Sequence, residues 1–111
     1  MRELPDVKSL GDAVRAVIQS NKADGYNPSR FVQITLAGTA PDLKRLCEKL
    51  ILSGQALDHL DGAFEKHRSL LTLEDFVARY GRDWGYSDEV LDMARQRVIY
   101  FDQLAGGPRY S

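Results

Sequence analysis

The chain has one cysteine, Cys47, so no disulfide can close within it. Long apolar runs are also missing. Stretches such as Leu50-Ile51-Leu52 span only a few residues, whereas a membrane-spanning helix needs about 20. No membrane partner is expected. Met1-Arg2-Glu3-Leu4-Pro5-Asp6 is not followed by the apolar segment of a secretory leader. A lone thiol without a leader points to a reducing setting, the cytoplasm.

Charge of one sign is scarce too. The formal net charge is −1 at pH 7; residues 1–53 hold 8 Lys and Arg against 6 Asp and Glu, and residues 54–111 hold 7 against 10. A nucleic-acid-binding domain usually concentrates its basic residues on one face, so nucleic acid is a disfavoured partner. The phosphate-cradling patterns GxGxxG and GxxxxGK[ST], the GxSxG elbow, the EF-hand loop and HExxH are all absent. The expectation is therefore no enzyme, no cofactor and no metal.

What is present is an ordinary globular composition in 111 residues, 43% hydrophobic and 28% charged. That is enough chain to bury one core without metal or disulfide staples. The punctuation is that of short capped helices. Val7, Leu10, Val14, Val17 and Ile18 recur at helical spacing and predict a first helix over Asp6 to Asn21. Leu43, Leu46, Cys47, Leu50 and Ile51 follow the i, i+3, i+4 rule in a helix that opens with the capping-box pattern Thr39-x-x-Asp42 and ends at Ser53-Gly54. Leu57, Leu60 and Phe64 predict another over Gln55 to His67. Thr72-x-x-Asp75 opens a short helix over Leu73 to Tyr80. Ser87 caps the last, which runs to about Leu104 before Gly106-Gly107-Pro108. Residues 30–36, around Val32, Ile34 and Leu36, alternate as a strand would. No second strand is there to pair with one, and Asn27-Pro28 is a good helix start, so a helix is favoured. The fold read from these signals is a single all-α bundle of five or six short helices over residues 1–111, with residues 1–4 and 106–111 frayed. An α+β fold with one strand at residues 30–36 is the alternative.

Candidate chemistry is sparse. His59 and His67 lie ~12 Å apart along one helix and ~80° apart around it, too far to share a metal ion. Asp58, Asp61 and Glu65 share a helical face and repel one another by a few tenths of a kcal/mol per pair, as solvated carboxylates do. Cys47 sits at an apolar position and reads as a small buried hydrophobe. The last helix is more informative. Val90, Leu91, Ala94, Val98, Phe101 and Ala105 form one stripe, and Met93, Tyr100 and Leu104 form a second beside it. The two together exceed the ~100° face of an ordinary surface helix. The second stripe with Arg97 is therefore a candidate contact, extended by Trp84 and Tyr86 in the loop Gly81–Tyr86, since Trp, Tyr and Arg are favoured binding anchors.

The functional expectation is a small non-enzymatic protein–protein interaction module. It self-associates, as a homodimer, through the last helix, using Met93, Arg97, Tyr100 and Leu104 with Trp84 and Tyr86. The alternative is a helix-turn-helix-like DNA-binding or regulatory protein with Arg30, Lys44, Arg45 and Lys49 on phosphates. Two segments could form such a motif, Leu43–Leu60 and Thr72–Val98, but the second helix of each is acidic, through Asp58, Asp61 and Glu65 in one and Asp88, Glu89 and Asp92 in the other.

Overall fold

Hydroxyl side chains set three of the helix starts. Ser9, Thr72 and Ser87 all have extended backbone, and each turns its side-chain oxygen to accept from the N–H three residues on, at Asp12, Asp75 and Val90. The computed structural model describes residues 2–27, 32, 40–54 and 62–110. These form five helices: α1, Leu10–Ala23; α2, Ala40–Ser53; α3, Ala63–Lys66; α4, Leu73–Tyr80; and α5, Asp88–Ala105. The fold is all-α. The expected strand falls outside the described residues except for Val32, which is helical. Among the described residues the one extended pairing outside helices is an isolated bridge between Arg2 and Tyr110.

Two boundaries move. The first helix begins at Leu10 rather than Asp6, because Ser9 takes the cap. Of the helix expected over 55–67, residues 62–67 are described, and the helical part is α3, with His67 as its C-cap. α4 matches its expected span, and its capping box is complete: the Thr72 N–H donates to Asp75 Oδ2 at 2.9 Å and Thr72 Oγ1 accepts from the Asp75 N–H at 3.3 Å. Gly106 ends α5 at φ 86°, a left-handed position that a Cβ would strain.

α5 packs on α2, α3 and α4, so it is the central element. Three apolar clusters lie along it and beside it. The first joins Val14 of α1, Cys47 and Ile51 of α2, Val77 of α4 and Val90, Leu91 and Ala94 of α5 around Tyr86. The second holds Leu4, Ala13, Val17, Leu71 and Phe76. The third holds Phe64, Leu70, Phe101 and Ala105, with Phe64 stacked on Phe101 at 5.0 Å between ring centroids. Each fully buried large side chain here contributes about 1.5–3 kcal/mol. α4 and α5 meet at Gly81, where a Cβ would lie 2.5 Å from the Val77 carbonyl and 2.7 Å from Leu91 Cδ2. Only a glycine lets the two helices approach this closely.

Of the residues expected to fray, 1–4 and 106–111, the structure describes 2–4 and 106–110. Leu4 is buried in the second cluster. Arg109 is 2% exposed, and the Arg2 N–H donates to the Arg109 carbonyl at 3.0 Å. Glycines after a helix stop the helix. They do not prevent the next residues from packing.

Candidate functional site

The six residues singled out in the sequence divide three ways. Tyr86 and Arg97 are buried within the chain. The Tyr86 hydroxyl donates to the Lys44 carbonyl at 2.9 Å, and burial holds its pKa well above the usual tyrosine value. Trp84, Met93 and Leu104 are half-buried; Trp84 bridges the first two apolar clusters and stacks on Tyr80 at 5.7 Å. Tyr100 alone of the six is exposed, at 38%, and the neighbouring Ile99, which the stripe argument passed over, is 60% exposed. Ile99 was missed because it lies off both stripes, on the polar side of the helix. Its own type was the available signal: a large β-branched residue among Arg95, Gln96 and Gln103.

A second feature was not foreseen. Glu74, Asp75, Arg97 and Arg109 are all buried near the start of α4. Asp75 is placed by its capping role. Arg109 reaches it from the segment after α5, with Nη2 donating to Oδ1 at 2.7 Å and Nη1 to Oδ2 at 3.0 Å. The same guanidinium donates from Nε to Asp102 Oδ1 at 2.8 Å and from Nη1 to the Leu70 carbonyl. The rings of Phe64 and Phe101 lie 5.1 and 5.6 Å from its carbon. A planar fork between two carboxylates and two aromatic rings is the setting that suits arginine and not lysine. Desolvation pushes the Asp75 carboxyl up, against the Arg109 guanidinium and the Thr72 donors that hold its ionised form.

Glu74 is less well served. Arg97 stands 3.8 Å away, at the limit of an ion pair. Desolvation therefore prevails over that attraction and pushes the Glu74 carboxyl up to about 7. Nearby Cys47 is fully buried; desolvation, reinforced by the Glu74 charge, pushes its thiol up to about 12. Its place in the first cluster is that of a packed hydrophobe, and a thiol held so high is a poor nucleophile.

The remaining candidates separate in space. Lys44 turns toward the loop, donating to the Gly85 carbonyl at 3.1 Å and lying 5.5 Å from the Tyr86 ring centroid. Arg45 and Lys49 are exposed, while Arg30 lies outside the described residues. The start of α5 presents exposed Asp88, Glu89 and Asp92. His59, Asp58 and Asp61 also fall outside the described residues. His67 packs its ring 6.0 Å from that of Tyr26 and lines a hollow of about 380 Å³ with Arg2, Asp24, Glu65, Lys66 and Arg68. Its charges are mixed, and Arg2 is already forked onto Asp24 at 2.9 and 3.0 Å. Among the described residues no group of three or more His, Cys, Asp and Glu is placed to hold a metal ion. Nor is any helix among them long and apolar enough to cross a membrane.

No protein-family model, curated protein or solved structure matches the chain. The functional reading therefore rests on its own geometry.

Proposed function

We propose that this chain is a small non-enzymatic protein–protein interaction module that associates with a second copy of itself through the outer face of α5. The observation that carries the reading is the adjacent pair Ile99 and Tyr100, 60% and 38% exposed on a helix whose opposite side is core. Half-buried Met93 and Leu104 extend the patch along the Tyr100 side. Arg97 and Tyr86 drop out of the contact, since their side chains are committed within the chain. With only two exposed apolar side chains in the patch, Ile99 and Tyr100, the reading is of a weak, concentration-dependent dimer rather than a standard stable interface. The buried single thiol is compatible with a cytoplasmic setting for such a module.

Light scattering on a size-exclusion column tests the reading. Mass should rise with concentration from the 12.5 kDa chain toward twice that value. Ile99→Ser should shift the rise to higher concentration without changing the unfolding midpoint measured in dilute solution. A mass fixed at that of one chain up to millimolar protein would sink the proposal.

A further inference from the structure

The Arg109 side chain occupies a socket whose walls belong to other parts of the chain. Asp75 comes from the start of α4, Asp102 from α5, the accepting carbonyl from Leu70, and the two rings from Phe64 and Phe101. The Asp75 carboxylate does not depend on Arg109 for its orientation. Thr72 holds it through both its N–H and its hydroxyl, each at 2.9 Å from Oδ2. The rings are packed in the third cluster and stack on each other at 5.0 Å between centroids. Thr72 thus orients one of the two carboxylates without the arginine, and a part-ordered site of this kind carries a lower ordering cost.

The arginine arrives on a short tether. Gly106 and Gly107 have φ of 86° and 155°, and a Cβ on either would meet nothing within 4 Å. This turn carries no side-chain packing, and its N–H groups donate to the Gln103 and Asp102 carbonyls at 3.2 and 2.8 Å. Beyond it the segment is fastened by Arg109, by the Tyr110 hydroxyl donating to the Ser69 carbonyl, and by the bridge to Arg2. Arg2 is in turn forked onto Asp24 at the end of α1.

We propose that this socket is a partly preorganised guanidinium-binding site and that residues 106–110 are a strap that fills it. The ligand class is a planar cation with parallel N–H donors, presented in this chain by Arg109. The strap joins the region before α1, the end of α1 and the start of α4 to the end of α5. Occupancy of the socket is thus one of three fastenings, with the Tyr110–Ser69 hydrogen bond and the bridge to Arg2, that tie these four parts of the chain together. A simple ammonium lacks the fork, and a neutral urea lacks the charge that two carboxylates require.

Chemical complementation in the full chain tests this. Arg109→Ala leaves a void the size of ethylguanidinium. Adding that cation should raise the variant's thermal midpoint saturably, by about 6 °C at ten times its dissociation constant. Ethylammonium and N-ethylurea at the same concentrations should not. The wild-type midpoint should not respond, because its socket is filled, and Arg109→Ala combined with Asp75→Asn should lose the response. If Arg109→Ala does not fold alone, recovery of helical circular dichroism on titration with ethylguanidinium replaces the midpoint. Equal effects of the three probes, an equal rise in the wild type, or no saturable response would overturn the proposal.

Discussion

The first half of α5 packs Val90, Leu91 and Ala94 against Cys47, Ile51 and Tyr86, whereas its second half brings Arg97 and Asp102 to a cluster of buried charges beside Phe101. One helix is thus held by two kinds of physics. Burial of apolar area is indifferent to pH and tolerates swaps of similar volume. A buried ion cluster tolerates neither a missing partner nor an extra charge, because the desolvation cost is already incurred when the partner is removed. The first half supplies stability, and the second fixes where the segment after α5 goes.

The largest effect should come from breaking the second half. Arg109→Ala strands Asp75 in an interior site, and its loss should be about 3–5 kcal/mol in urea unfolding. Leu91→Ala breaks the first half by about 2–5 kcal/mol through the cavity it leaves. Repeating both at pH 5 and pH 8 sharpens the contrast: the Leu91→Ala loss should stay constant, and the Arg109→Ala loss should be smaller at pH 5, where the desolvated Asp75 carboxyl, freed of its partner, takes up a proton more readily. Gly81→Ala comes next. Its Cβ would collide with backbone and with Leu91, so a loss of about 2–3 kcal/mol is expected, seen as a lowered urea midpoint at unchanged slope.

Glu74 yields a smaller effect with a definite sign. Its carboxyl titrates near 7 in the folded chain, against 4.5 as its ordinary value. Between those values the folded state binds the extra proton. The stabilisation this provides is complete below about 4.5 and is lost as pH rises through about 7. Wild-type stability should therefore fall between pH 5 and pH 7, on the order of 1 kcal/mol per unit from this group. Glu74→Gln should flatten that slope in thermal midpoints taken across the range. An undiminished slope would place the titration elsewhere. Ile99→Ser should do least to folding, within about 0.5 kcal/mol, since an exposed side chain loses little on replacement.

Much of the fold was legible in the sequence because its signals are local. Thr72 and Asp75 announce α4, Ser87 announces α5, and the spacing Leu43–Ile51 announces α2; each depends on residues within two turns. The proposed contact was legible only in part. The stripe rule puts Tyr100 and Arg97 on one face, yet Tyr100 is exposed while Arg97 is buried, 3.8 Å from Glu74. The socket was not legible at all. In the sequence Asp75 signals only a cap, and Arg109 only a segment beyond the last helix. Their pairing spans 34 residues of sequence, with no periodicity to signal it.

The sequence by itself determined that this protein is helical, where α4 and α5 begin, and that α5 carries more apolar surface than one ordinary face. Caps, left-handed glycines and 3.6-residue periodicity act over short range, so the local residues suffice. Only the tertiary structure decided which polar residues enter the interior and what becomes of the segment after α5. A buried charge is tolerated only where its partners converge, and here those partners are Asp75 of α4, Asp102 of α5 and the Leu70 carbonyl.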